Sequence, residues 1–362
     1  MFGKPRYFSL YCLILLASSA AAAPDLDDIR LPPGFSIEVF AEVDNARSMS
    51  LGANGVVYVS NRSADAVYAV VPGPAGQRVF EIDDDLKTPN GIAYFEGDLY
   101  VAEIARVLVY RDIDKHLRTS PIPEVLNIAL PGESHHGWRY IGFGPDNKLY
   151  ISIGAPCNIC DREGYARIVR MDPDGSNREV VAQGVRNSVG FTWHPETEEL
   201  WFTDNGRDML GDDVPSDELN RVTKPGEHFG YPYCHAGDVA DPKFGEGRNC
   251  RDYSAPVQKL GAHVAALGLR FYTADQFPPE YQGQLFIAEH GSWNRSKKSG
   301  YQISVVTLED GKAVSFAPFA EGWLDGQTTK GRPVDLLVYT DGSLLVSDDF
   351  ADVIYRISYK EP

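Results

Sequence analysis

Six times along the chain a short apolar segment follows a turn and ends in small or polar residues. The copies are residues 55–60, 97–102, 147–152, 199–203, 283–288 and 342–347. Each reads as a strand, and a partner strand follows most of them, at 67–70, 107–110, 167–170 and 353–356. The equivalent positions Tyr58, Tyr100, Tyr150, Trp201, Phe286 and Leu345 are 42, 50, 51, 85 and 59 residues apart. Units of about 40–50 residues holding several short strands are the signature of a β-propeller, whose blades bury their faces against one another. No long amphipathic helical period lies between them. A two-sheet sandwich leaves six similar hairpins unexplained. The expected fold is all-β, a six-bladed β-propeller. The 85-residue gap holds a Gly-, Pro- and charge-rich insertion at about 223–261, read as a long loop stapled by Cys234 and Cys250.

The first 23 residues read as an export signal rather than as part of the fold. Lys4 and Arg6 precede an apolar run from about Phe8 to Ala17, and Ala21-Ala22-Ala23 offers a small-residue cleavage site. The run is short for a bilayer span, and no other stretch approaches that length. The mature chain is then 24–362, a single propeller with no integral membrane segment, in the periplasm or secreted. Cys12 leaves with the signal. The four remaining cysteines form two close pairs, and an even count in an oxidising compartment favours two disulfides. Sequential pairing, Cys157 with Cys160 and Cys234 with Cys250, is preferred. Asp161 follows Cys160 where c-type haem attachment needs a histidine, and a zinc site lacks its second half. The formal net charge of -17 argues against a nucleic-acid partner.

Four polar segments sit just outside the strands, where propeller loops converge on the channel. They are Ser134-His135-His136-Gly137-Trp138-Arg139; Arg186-Asn187 with the acidic residues from Asp204 to Asn220; Glu289-His290-Gly291-Ser292-Trp293-Asn294-Arg295 with Lys297 and Lys298; and Gly331-Arg332-Pro333-Val334-Asp335. Alone, each also fits a packed turn or a solvated loop. Together they supply a base, an Arg-Asn pair, an acidic glycine-bearing loop and two late cationic segments.

With these motifs the chain resembles the quinoprotein glucose/sorbosone dehydrogenases, six-bladed propellers that bind pyrroloquinoline quinone (PQQ) through calcium. The resemblance runs from Leu31-Pro32-Pro33-Gly34-Phe35 to the last strand and is nearest the sorbosone branch. It implies a catalytic histidine, His136 when counted from Gly144 and His135 when anchored on Arg139. It implies Arg186 and Asn187 at the cofactor, Arg186 also beside the chemistry. Backbone carbonyls of Gly206 and Arg207 are the implied calcium ligands. Asn205 is implied beside the quinone, with Asp204, Asp217 and Glu218 as outer acidic neighbours. Lys297 or Lys298, together with Arg332, meets the cofactor carboxylates, and Arg62 is a weaker candidate for the channel.

Two positions depart from the pattern. Ala155 stands where glucose-oxidising members carry an aspartate that orients the histidine, and Asp161 or a carboxylate of another blade is a possible substitute. Val334 stands where a second late arginine is expected, with Arg295 as a possible replacement. The implied reaction is oxidation of a sugar, sugar aldehyde or polyol. The histidine takes the hydroxyl proton and hydride passes to the quinone, with guanidinium forks and an ammonium group holding the cofactor carboxylates. Calcium takes oxygen ligands, carbonyls included. With no haem motif, the electron acceptor is expected to be a separate partner. The alternatives are a non-catalytic ligand-binding propeller and a calcium-dependent lactone hydrolase.

Overall fold

The computed structural model describes residues 25–119 and 121–361. The expected export signal lies outside the described residues. Within them the chain forms six successive blades and no α-helix, only short 3-10 turns. Blade 1 comprises Met49–Leu51, Val57–Val59, Val67–Gly73 and Gly76–Asp83. Blade 2 comprises Gly91–Phe95, Asp98–Ala102, Val107–Tyr110 and Glu124–Val125. Blade 3 comprises Ile141–Phe143, Leu149–Ile153, Arg167–Met171 and Glu179–Gln183. Blade 4 comprises Phe191–Trp193, Leu200–Asp204, Ser216–Arg221 and Gln258–Ala262. Blade 5 comprises Ala266–Phe271, Leu285–Glu289, Gln302–Glu309 and Lys312–Glu321. Blade 6 takes Pro333–Val338, Leu344–Asp348 and Val353–Tyr359 from the end of the chain and its outer strand, Phe35–Glu42, from the beginning.

That last pairing closes the ring. Phe35 lies opposite Tyr359 and Glu42 opposite Val353 in an antiparallel ladder. Phe35 also sets its ring edge-on to Phe277 and Phe319 at 4.7 and 5.1 Å, so closure buries aromatic surface as well as pairing an edge.

The repeat is visible in sequence because of what the second strand of each blade does. Leu149–Ile153 and Leu344–Asp348 are buried along their whole length. A strand covered on both faces reads as an apolar run rather than an alternation. The large residue at the equivalent positions fills the wedge between blades: Tyr58 stacks on Tyr94, Tyr150 meets Trp193, and Trp201 meets Phe271. The outer strand Lys312–Glu321 is instead mostly exposed or half-buried.

The insertion differs from its expected form as one long loop. Glu227–His228 adds a short parallel edge to blade 3, and Gln258–Ala262 is the outer strand of blade 4. Only the middle is excursion. It carries a small hairpin, Cys234–His235 against Val239–Ala240, and it is tied by the Cys234–Cys250 disulfide. The second disulfide joins Cys157 to Cys160, so both pairs follow the sequential pattern expected. No helix among the described residues is long and apolar enough to cross a membrane.

Candidate functional site

Antiparallel pairing places the start of each blade's first strand beside the end of its second. The first strands of neighbouring blades also touch one another around the central axis. Residues just before a first strand and just after a second strand therefore converge on one end of the propeller. A cavity of about 380 Å³ opens there, and every blade except blade 2 supplies part of its wall.

His135 and His136 enter from the segment before blade 3, their rings 4.1 Å apart. They differ in how they are held. His135 is exposed, whereas His136 is buried and its Nδ1 lies 2.9 Å from the carbonyl oxygen of Ala155. A carbonyl only accepts, so Nδ1 carries the proton and the lone pair resides on Nε2. Burial, then the charges of Arg186 and His135, pushes the His136 pKa down to about 2. His136 has φ 49°, a left-handed conformation that costs a non-glycine residue roughly 1–3 kcal/mol. The close fit extends to Gly154, where a Cβ would fall 2.7 Å from the His136 Cβ and carbonyl oxygen. Orientation of this histidine thus comes from the backbone at Ala155. Asp161, considered as a substitute for the missing aspartate, instead accepts from the Tyr233 hydroxyl at 2.5 Å.

Arg186 and Asn187 line the wall before blade 4. Their backbone N–H groups donate to Asp204 at 2.7 and 2.6 Å, which fixes the turn. The Arg186 guanidinium is taken up by protein. It donates to the carbonyls of Asn158 and Asn205 and pairs with Asp208 at 3.0 Å. Asn205 and Gly206 follow the second strand of the same blade and also line the cavity. Asn205 donates its side-chain amide to the Ala266 carbonyl, and no donor among the described residues reaches its side-chain oxygen. The Gly206 N–H donates to Asp217, which also receives the N–H of Ala265. Burial pushes the Asp217 pKa up to about 6, against the backbone donors that favour its charge.

The calcium expectation can be tested against donor chemistry. Among the described residues no group of three or more His, Cys, Asp or Glu side chains could hold a metal. No hydrogen bond among them reaches the carbonyl oxygens of Gly206 or Arg207 either. Carbonyl oxygens without a donor are suitable hard ligands for calcium, so the loop fits the ion through its backbone. The Arg207 side chain turns away from that role and pairs with the buried Asp241.

Cations reach the cavity from two arginines the sequence singled out, Arg332 and Arg62, and from one it did not, Arg47. Arg332 lines the wall as expected, its N–H held by Asp348 at 2.9 Å and its guanidinium donating to the carbonyls of His290 and Gly291. Arg62 and Arg47 join it from blade 1. Arg47 is buried and pairs with Asp349 at 2.6 Å, while Asp349 also faces His290 Nε2 at 2.7 Å. Arg62 lies over the Trp138 ring, 5.0 Å from its centroid. Among the described residues neither Arg62 nor Arg332 forms an ion pair. Burial, then repulsion from Arg47, lowers the Arg62 pKa.

Arg295, Lys297 and Lys298 are not brought to this wall. Arg295 folds over the outer loop, donating to the Asp212 carbonyl and pairing with Asp213. Lys297 is exposed, and Lys298 donates to the Thr329 hydroxyl. Their motif reaches the cavity through other members, His290, Gly291 and Trp293, and Trp293 is 71% exposed at the rim. Val334 is buried in a small apolar cluster with Val189 and Leu267, so no cation replaces the second late arginine at its own position.

A family model described as Glucose / Sorbosone dehydrogenase matches residues 103–314. The chain belongs to the glucose/sorbosone dehydrogenase family. It is 33% identical to an uncharacterized protein of Borreliella burgdorferi over 98% of both chains. It is 25% identical to the aldose sugar dehydrogenase YliI of Escherichia coli, over 57% of this chain and 55% of that one. Among solved structures, the holo form of the PQQ domain of pyranose dehydrogenase from Coprinopsis cinerea has the same fold. Its TM-score is 0.78 at 18% identity, covering 91% of this chain and 97% of that one. The PQQ-bound aldose sugar dehydrogenase of Streptomyces coelicolor gives 0.65 at 18% identity, covering 91% and 100%.

Proposed function

We propose that the protein is an exported PQQ- and calcium-dependent dehydrogenase of sugars, sugar aldehydes or polyols. The observation that carries this reading is the pair of unneutralised guanidinium groups, Arg62 and Arg332, on the wall of a cavity that also holds His136. In a chain with a net charge of -17, cations facing a cavity without carboxylate partners suit an anionic ligand. A tricarboxylate quinone is such a ligand, and guanidinium forks match its carboxylates. The named relatives of the family support the same assignment.

In this reading Arg62, Arg332, Asn187 and Asn205 would hold the cofactor, and the carbonyls of Gly206 and Arg207 would hold calcium. Bound PQQ would supply the two-electron oxidant. The chain's own task is to orient the substrate and move one proton. His136 presents a neutral Nε2 toward the cavity, so it takes the proton of the substrate hydroxyl as that carbon is oxidised. His135, more exposed and with no hydrogen bond to its ring among the described residues, is left to contact the substrate. Trp293, exposed at the rim, offers an apolar face to a sugar ring. The expected export signal and the two disulfides support a periplasmic or secreted location, and with no haem motif in the sequence the electron acceptor is taken to be a separate partner.

The test is titration of PQQ with calcium into the purified chain, followed by dye-linked oxidation of aldoses, sorbosone and polyols. Saturable binding with turnover of at least one sugar is the expected result. Absence of PQQ binding at micromolar concentration overturns the proposal.

A further inference from the structure

The Cys157–Cys160 staple brackets Asn158, and every polar atom of Asn158 beyond its own N–H is engaged with the cavity wall. Its carbonyl oxygen accepts from Arg186 Nε at 3.0 Å. Its side-chain oxygen accepts from Arg186 at 2.9 Å and from the Asp208 N–H at 2.9 Å. Its side-chain amide donates to the Asp208 carbonyl at 3.1 Å. Asn158 thus holds Arg186 with one edge and closes a two-bond ring with the Asp208 backbone with the other. The Tyr231 hydroxyl, reached by the Cys160 N–H at 2.9 Å, packs behind the turn.

We propose that Asn158, clamped by the Cys157–Cys160 disulfide, is the positioning residue that sets the 205–208 loop and Arg186 on the wall of the cofactor cavity. The proposal rests on the functional reading above, because it assigns the loop a ligand. It explains why a bridge between cysteines three apart is useful at this place. Such a bridge closes too short a loop to restrain much of the unfolded chain. What it does restrain is the conformation of the two residues between its ends, and one of these makes all the contacts. Groups that orient direct ligands usually change affinity about 10–100-fold when removed.

Three variants of the full chain test this. Asn158→Ala removes the side-chain bonds to Arg186 and Asp208. Asn158→Asp keeps the acceptor for both, sets a carboxylate oxygen where the amide donated to the Asp208 carbonyl, and adds a negative charge beside Arg186. Cys157→Ser with Cys160→Ser opens the clamp and leaves Asn158 in place. The first readout needs no cofactor: amide hydrogen exchange of residues 205–209 in the ligand-free protein. Faster exchange there in Asn158→Ala and in the double serine variant, with blades 1 and 6 unchanged, is the expected result. Partial restoration is expected in Asn158→Asp. The second readout is the PQQ dissociation constant in calcium, expected to rise about tenfold in Asn158→Ala. If the wild type binds no PQQ, the functional reading fails while exchange still decides the positioning role. Unchanged exchange at 205–209 in Asn158→Ala overturns the inference, as does a PQQ dissociation constant within about twofold of a wild type that binds PQQ.

Discussion

His136 donates Nδ1–H to the carbonyl oxygen of Ala155 at 2.9 Å. A backbone acceptor thereby fixes the tautomer that a carboxylate would otherwise fix, without placing a negative charge beside the ring. The histidine is left neutral and buried, with the lone pair of Nε2 available to accept a proton. His136→Ala is expected to lower kcat by about 100- to 10,000-fold, the usual share of a positioned base, with PQQ affinity little changed. His135→Ala should act mainly on KM. Steady-state kinetics with one oxidised sugar separates the two, and equal losses in both variants would refute the assignment to His136.

The same geometry sets a pH dependence. An unperturbed histidine loses its base form below about pH 6.5. Burial and then Arg186 and His135 push His136 down to about 2, so it keeps its base form throughout the ordinary acid range. The acid limb of kcat/KM should therefore show no inflection near 6.5. The sign for stability runs with it. A group with a depressed folded pKa contributes fully above its unfolded value and progressively less as pH falls below it. Acid should thus destabilise the wild type below about pH 6.5 more than it destabilises His136→Ala, as chemical denaturation at pH 7 and pH 5 would reveal.

Arg62 and Arg332 differ from the other arginines of the cavity in forming no ion pair with a carboxylate among the described residues. Arg47 is paired with Asp349 and Arg186 with Asp208. A hydrogen bond to a charged group contributes about 1.5–3 kcal/mol. Arg62→Ala and Arg332→Ala should each weaken PQQ about 10- to 100-fold. Lys297→Ala, off the wall, should stay within about twofold. Fluorescence or absorbance titration checks all three.

Much of the architecture was legible because one physical role recurs. The second strand of every blade is covered on both faces, so its apolar run and bulky wedge residue repeat in sequence. The strand Phe35–Glu42 carried no such signal, since it is an outer strand whose ladder partner begins at Val353. The ends of the insertion were likewise unreadable as strands: Glu227–His228 is two residues long, and its identity comes only from its parallel neighbour. At the site, Arg186, Asn187, Asn205 and Arg332 were readable from their motifs. Arg47 was missed, although it stands two residues before the first strand of blade 1, as Arg332 stands just before that of blade 6. Blade equivalence was the available signal. Arg295, Lys297 and Lys298 lie in the right motif, but sequence does not say which way a rim side chain turns. Here Asp213 and the Asp212 carbonyl hold Arg295 outward.

Asp349 joins Arg47 to His290 in a buried cluster that locks blade 6 to blade 1 at the ring closure. Burial opposes its ionisation, yet His290 and Arg47 together more than offset that and hold its pKa well below the ordinary value. Its contribution is present above that ordinary value and fades as pH falls toward the folded one. Asp349→Asn leaves the buried Arg47 charge without its partner, and breaking such a pair costs about 3–5 kcal/mol. A lower denaturation midpoint for Asp349→Asn at pH 7 is expected. An unchanged midpoint would show that Arg47 finds a new partner in the cavity.

Gly154 is the most direct probe of how tightly the base is placed. A Cβ there would lie 2.7 Å from both the Cβ and the carbonyl oxygen of His136, and 3.4 Å from the carbonyl oxygen of Arg186. None of these atoms is the free end of a flexible side chain, so Gly154→Ala must shift the segment bearing His136. Overpacking of this kind costs about 1–3 kcal/mol, which a closed propeller should survive. A displaced base is felt more strongly than a lost kilocalorie, because misplacement by about 1 Å can cost 100-fold in rate. Gly154→Ala should therefore remain folded, keep its PQQ affinity within a few-fold, and lose kcat nearly as far as His136→Ala. Full activity in this variant would mean that the Ala155 carbonyl does not set the position of the ring.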